Sequence, residues 1–211
     1  LAKRRLYIIK DFHVISNGKL SFPNFLSIAQ KIHPLISAIH LREKQRSESE
    51  LKHWVEEMVH NGIPREKIIV NTWTRLANDY QLKGVHLPAH QGNPLAIKQQ
   101  YSLLKVGVSV HHLNEALYYK KGGADYLFFG NVYETTCKPG LEGKGLNELQ
   151  RITAAVSIPV IAIGGIQPHH IPELTAASAS GIAVMSGVIE AKDPVKAIKN
   201  YQSFRMQEKG V

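Results

Sequence analysis

Cysteine is almost absent from this 211-residue chain, Cys137 being its single example. A lone thiol cannot close an internal disulfide and cannot build a cysteine-based zinc site, which suits a reducing, cytoplasmic setting. Long hydrophobic runs are missing as well. The longest, Ile158 to Ile166, falls far short of the ~20 residues that span a bilayer. The basic start LAKRR is followed by an apolar stretch of Leu6 to Ile9 alone before Lys10 and Asp11 intervene, too short for an export signal. Membrane partners are therefore not expected. Acidic residues are scarce, 17 against 26 Lys and Arg, for a net charge of +9. Such an excess attracts anions of every kind, from nucleic acid to small phosphorylated ligands. The basic residues are scattered and no helix-turn-helix, finger or RNA-binding signature accompanies them, so nucleic acid is not an expected partner. Linkers, low-complexity tracts and long charge blocks are also lacking, and a single domain over residues 1–211 is the economical reading.

What is present is a repeated alternation. Short apolar, β-branched runs lie at Leu6 to Ile9, Ile36 to Leu41, Lys67 to Val70, Gly84 to Leu87, Lys105 to Ser109, Ala124 to Phe129, Pro159 to Ile163 and Gly181 to Met185. Between them fall segments of helical spacing, such as Glu48 to His60, Asn114 to Lys121 and Pro194 to Gln207. Nearly all-apolar strands alternating with helices imply a parallel sheet, and eight such units close into an α/β fold of the (β/α)8 TIM-barrel type. At about 26 residues per unit the barrel is compact beside the typical ~250 residues. An open doubly wound sheet is the rival. Its glycine-rich turn after the first strand is missing, since Lys10-Asp11-Phe12-His13 stands there.

Barrel active sites are built at the C-terminal ends of the strands. Arg42 and Lys44 follow the second run, Asn71 and Thr72 the third, and Ser109 with His111 and His112 the fifth. Arg42 and Lys44 read either as mouth cations or as a solvated surface pair. Adjacent histidines point in different directions and make a poor metal site, whereas one imidazole facing the mouth suits proton transfer. After the sixth run comes a long Gly-rich stretch, Gly130 to Gly145, holding Asn131, Thr135, Cys137 and Lys138. Loops of that length in compact domains commonly bind ligands. The strongest local signal is the pair of ends Gly164-Gly165-Ile166 and Val184-Met185-Ser186-Gly187. Glycines there let backbone N–H groups approach an anion, at the usual phosphate place of barrels. Two tight turns with no room for a Cβ are the plainer alternative.

Taken together, His40-Leu41-Arg42-Glu43-Lys44, Gly84 to Pro88, Gly107 to His111, Gly123 to Gly130, the Thr135 to Gly145 loop, Ile158 to Ile166 and Gly181 to Gly187 resemble the thiamine phosphate synthase family over essentially the whole chain. The likeness points within it to the TenI subgroup of thiazole tautomerases. The resemblance implies a barrel that binds phosphorylated thiazole and, in the synthase, a pyrimidine pyrophosphate with magnesium held by carboxylates after strands three and four. Here those positions read Asn71-Thr72 and Pro88-Ala89-His90-Gln91, without a carboxylate. The synthase loop pattern Thr-x-Thr-Lys reads Thr135-Thr136-Cys137-Lys138. From these departures the expected function is thiazole tautomerase, an isomerase that needs no cofactor and no metal, with thiamine phosphate synthase and a non-catalytic phosphate-ligand regulator as alternatives. The tautomerase pattern implies a histidine where Asn131 stands, and asparagine cannot exchange a proton. His111 then carries the proton, Arg42 and Lys44 meet substrate charge, and Ser109 and Asn131 bond the ring region. Asn71, Thr135, Cys137 and Lys138 are further substrate contacts, and residues 164–166 and 184–187 hold phosphate. A homodimer is left open.

Overall fold

The computed structural model describes residues 5–6, 11–135, 140–202 and 205–206. Its centre is a closed parallel barrel in strict chain order. The strands are β1 (Asp11–Ile15), β2 (Ala38–Leu41), β3 (Ile68–Asn71), β4 (Gly84–Leu87), β5 (Lys105–Val110), β6 (Tyr126–Gly130), β7 (Val160–Ile163) and β8 (Gly181–Val184). Closure comes from β8 pairing with β1, from Asp11 opposite Gly181 to Val14 opposite Val184. The helices run α1 (Phe22–Ile32), α2 (Glu48–His60), α3 (Thr74–Asp79), α4 (Pro94–Gln100), α5 (Leu113–Lys121), α6 (Gly145–Ala155), α7 (Ile171–Ala176), α8 (Ser186–Ile189) and α9 (Pro194–Gln202). Outside the barrel, Arg5–Leu6 pairs antiparallel with Arg205–Met206.

Two expectations change. The first barrel strand is Asp11–Ile15 rather than Leu6 to Ile9, of which residues 7–10 lie outside the described residues. The last helix is described over Pro194–Gln202, and Arg205–Met206 form a strand where a helix to Gln207 is expected. The cause of the first is the alternation of side chains across a strand. Phe12 and Val14 face the helices and join the large outer core, while His13 on the same strand meets Phe128 and Tyr126 inside the barrel. A strand with a polar inner face does not read as an apolar run.

The outer core lies between sheet and helices. In α2, Leu51, Trp54, Val55 and Met58 are buried on one face, each worth roughly 1.5–3 kcal/mol of burial. Ser47 and Glu50 close a capping box at its start, satisfying helix N–H groups that would otherwise lack partners. Inside the barrel a smaller cluster joins Ile15, Ala38, Ile69, Tyr126, Phe128, Ile161 and Ala183. Gly107 makes room for this layer. A Cβ there would fall 2.0 Å from the Tyr126 ring, so the tyrosine can enter because its neighbour on β5 has no side chain.

Candidate active site

Packed against Tyr126 and Phe128 of the inner cluster are buried histidines, each with at least one ring nitrogen hydrogen-bonded, as buried polar groups generally are. His13 on β1 lies between Asp11 (3.0 Å) and His40 of β2 (2.8 Å). His86 of β4 lies between the Tyr126 hydroxyl (3.2 Å) and Ser109 Oγ (2.9 Å). Of these residues the sequence points to Ser109 alone as a site residue, and not to His13, His40, His86 or Tyr126. The signal for the histidines is their place at inward positions of β1, β2 and β4, visible once the strand register is known.

Burial holds His40 well below the ordinary imidazole range, assisted by repulsion from His13 and His86. Burial, with repulsion from His13, brings His86 down to about 3. Unfolding returns both rings to a value near 6.5. Below that pH the unfolded chain takes up protons that the native barrel excludes, so stability falls as pH falls from about 6.5. Each ring contributes about 1.4 kcal/mol per pH unit within its window. Urea unfolding at a series of pH values between about 7 and 5 should show this slope, and His86→Gln should remove about half of it. A flat stability profile across that range would contradict the assignment.

At the barrel mouth, Ser16 Oγ accepts a hydrogen bond from the Arg42 N–H (2.8 Å), tying the end of β2 to the end of β1. The Arg42 side chain is half-buried, and its guanidinium has no hydrogen-bond or ion-pair partner among the described residues. Lys44 is exposed. Glu43 between them is buried and paired with Arg46 (3.2 Å), which lies over the Trp54 ring. Asn71 is half-buried at the end of β3, beside the His40 ring, and its amide oxygen meets no hydrogen bond of ordinary geometry among the described residues. Thr72 has a left-handed backbone, φ 69°, and its hydroxyl donates to the Asn71 carbonyl (2.5 Å).

His111 donates from Nδ1 to the Gly130 carbonyl, and Glu115 accepts from its backbone N–H at 2.7 Å. A carbonyl can only accept, so the neutral ring carries its proton on Nδ1 and leaves Nε2 bare. Asn131 is buried and turned away from ring chemistry. Its amide donates toward the carbonyls of Tyr133, Leu141 and Glu142, which shapes the loop between β6 and α6. Thr135 ends the described part of that loop, half-buried. Cys137 and Lys138 lie outside the described residues.

The two glycine turns stand side by side, because Ile163 of β7 pairs with Ala183 of β8. Gly164 and Gly165 have φ of 95° and 68°, a region that favours glycine. Both also meet the neighbouring loop closely. A Cβ on Gly164 would be 2.4 Å from Asn131 Cβ, and one on Gly165 would be 2.2 Å from the Glu134 carbonyl oxygen. Tyr201 of α9 links the two turns. Its buried hydroxyl donates to the Ile166 carbonyl (3.0 Å), and a Cβ on Gly187 would come within 2.6 Å of that oxygen. Close packing thus explains these glycines in part, and it also leaves Gly165, Ile166, Ser186 and Gly187 backbone grouped at one corner of the mouth. Tyr201 was missed in the sequence because nothing local to α9 marks its contact with residue 166.

A family model described as thiamine monophosphate synthase matches residues 12–188. The chain belongs to this family. It is 32% identical over 204 residues to a thiamine-phosphate synthase of Pyrococcus abyssi, covering 96% of this chain and 95% of that one. A thiamine-phosphate synthase of Caldivirga maquilingensis is 38% identical over 118 residues, where the match covers 56% of this chain and 58% of the relative. Among solved structures, thiamine phosphate pyrophosphorylase from Pyrococcus furiosus superposes with a TM-score of 0.77 at 29% identity, covering 90% of this chain and 93% of that chain.

These likenesses correct the functional expectation from sequence. A thiazole tautomerase, and with it an isomerase, is not supported, because the relatives are named thiamine-phosphate synthase. Nothing in the similarities singles out the TenI-type subgroup. The physical reason for the error is one of weight. A few departures at one side of the mouth carry less weight than the match to a thiamine-phosphate synthase over 96% of the chain. No helix among the described residues is long and apolar enough to cross a membrane.

Proposed function

We propose that this protein joins a phosphorylated thiazole to a hydroxymethylpyrimidine pyrophosphate, forming thiamine phosphate. The observation that carries the proposal is the match to a thiamine-phosphate synthase over 96% of the chain, beside the glycine turns at the ends of β7 and β8. In this reading the thiazole nitrogen attacks the pyrimidine methylene carbon as the bond from that carbon to the pyrophosphate oxygen breaks. The nitrogen becomes quaternary without losing a proton. His111 Nε2 therefore has no proton to remove in this step, and its proposed role is to border the ring. The glycine turns hold the thiazole phosphate through backbone N–H groups, with Ser186 beside them. Arg42 and Lys44 meet the pyrophosphate, and Asn71 and Ser109 meet the rings. A cytoplasmic place suits a chain with one cysteine.

The family resemblance also implies magnesium, and the residues present do not fit it. Hard Mg2+ favours carboxylate and phosphate oxygens. The expected carboxylate positions hold Thr72, turned onto its neighbour's carbonyl, and Ala89-His90, where His90 pairs with Glu115 at 3.4 Å. Glu43 is engaged by Arg46 and Glu148 by the Leu113 N–H. Among the described residues no group of three His, Cys, Asp or Glu side chains could hold a metal ion. The negative charge of the departing pyrophosphate falls in this proposal to the mouth cations.

Purified protein supplied with both phosphorylated halves, with and without Mg2+, should produce thiamine phosphate by fluorescence detection after oxidation. Tight binding of thiamine phosphate without any turnover would overturn the synthase reading in favour of a non-catalytic binding protein.

A further inference from the structure

We infer that Ser109 is set as a hydrogen-bond donor toward the ligand, by His86 held in a single neutral tautomer, and that His86 and Tyr126 are positioning residues for it. Three polar groups decide it. Tyr126 hydroxyl, His86 Nδ1, His86 Nε2 and Ser109 Oγ form one chain, with separations of 3.2 and 2.9 Å across the ring. Two directions are possible. In the first, Tyr126 donates to Nδ1 and Nε2–H donates to Ser109, which leaves the serine hydrogen for the mouth. In the second, Ser109 donates to Nε2 and Nδ1–H donates to the phenol oxygen, which leaves the phenol hydrogen.

Burial decides between them. Tyr126 is buried, and its hydroxyl has no other acceptor among the described residues. The second direction would strand its hydrogen inside the barrel at the full cost of an unmade buried hydrogen bond. Ser109 is half-buried, at the last inward position of β5, so its hydrogen is the one that water or ligand can satisfy. A doubly protonated ring is excluded by its surroundings. Phe128 and the His40 ring lie against it, with centroids 4.3 and 5.5 Å away, and no carboxylate touches it. Gly107 completes the device, since its missing side chain is the space in which the Tyr126 ring sits. The ligand atom that meets Ser109 is accordingly an acceptor, either an unprotonated ring nitrogen or an anionic oxygen.

The tautomer stands independently of the activity, whereas the choice of thiamine phosphate as probe rests on the synthase reading. In 15N-histidine-labelled protein, long-range proton–nitrogen spectra should show His86, assigned by loss of its signals in His86→Gln, with a proton on Nε2 and a bare Nδ1 from mildly acidic to mildly basic buffer. A proton on Nδ1 in the unmodified protein would overturn the inference. Tyr126→Phe removes the donor to Nδ1 and should let both tautomers appear, raising KM for the thiazole phosphate about three- to tenfold with kcat nearly unchanged. Should that variant fail to fold, Ser109→Ala at the mouth serves instead, with about tenfold weaker thiamine phosphate binding and a lowered Tm, because the buried His86 Nε2–H loses its acceptor. Unchanged binding by Ser109→Ala would overturn the ligand-facing half. Failure of thiamine phosphate to bind even the unmodified protein would count against the synthase reading and leave the tautomer measurement to judge this one.

Discussion

Arg42→Ala is expected to lower kcat/KM for thiamine phosphate formation by about 10^2- to 10^3-fold while leaving the urea midpoint nearly unmoved. The two halves of that expectation have separate structural causes. Stability is spared because the guanidinium makes no hydrogen bond or ion pair among the described residues, so its removal breaks none of those. Activity is not spared because the same fork is held at the mouth by a fixed backbone, through its N–H on Ser16 Oγ. A charge-assisted, bidentate contact to a pyrophosphate in a partly dehydrated site is worth about 3–4 kcal/mol in the transition state. Lysine keeps the charge but loses the planar fork, so Arg42→Lys should recover part of the rate. Arg46, four residues on, provides the contrast. It is engaged by Glu43 and Glu50 and packed over Trp54, and Arg46→Ala should lower stability more than turnover. Full kcat/KM in Arg42→Ala would remove this residue from the site.

Gly164→Ala should cost about 4 kcal/mol or more of stability and weaken thiamine phosphate binding by over about 100-fold. Part of the loss is backbone strain, since φ at this position is 95° and such a conformation costs an L-residue roughly 1–2 kcal/mol. The larger part is steric. The added carbon would lie 2.4 Å from Asn131 Cβ and 2.6 Å from Asn131 Cα, and Asn131 is anchored by its amide to carbonyls of its own loop. Neither side can yield without opening the turn that is proposed to hold phosphate. Gly62 separates the two contributions, because it has φ 86° but nothing within 4 Å of an added Cβ. Gly62→Ala should lose only the strain, about 1–2 kcal/mol, and bind normally. Equal losses in both variants would show that contact with Asn131 does not matter.

Reading the strands from the chain worked where both faces are apolar. Val160–Ile163 and Gly181–Val184 fall where the apolar runs place them, because a central strand covered by helices shows little polar interruption. It failed at β1, where Asp11 and His13 occupy inward positions and resemble a turn. The helix Glu48–His60 was legible to the residue because capping box and periodic face coincide in sequence. In the site, the glycine turns and mouth cations could be found by counting past each run. Asn131 was visible as a residue but not as a clamp on the loop, since its acceptors include carbonyls ten and eleven residues away.

The sequence by itself determined the alternation of strand and helix, the order of the residues around the mouth and the family, because each is carried by local pattern or by motifs spread along the chain. It also contained the two absent carboxylates, though not their weight. Only the tertiary structure decided which polar side chains turn inward and what they meet there. His86 is bonded to partners 23 and 40 residues away, and Tyr201 reaches a carbonyl 35 residues back. Such contacts exist because barrel closure brings distant strands within hydrogen-bond reach, where a buried polar group that finds a partner escapes the cost of leaving water.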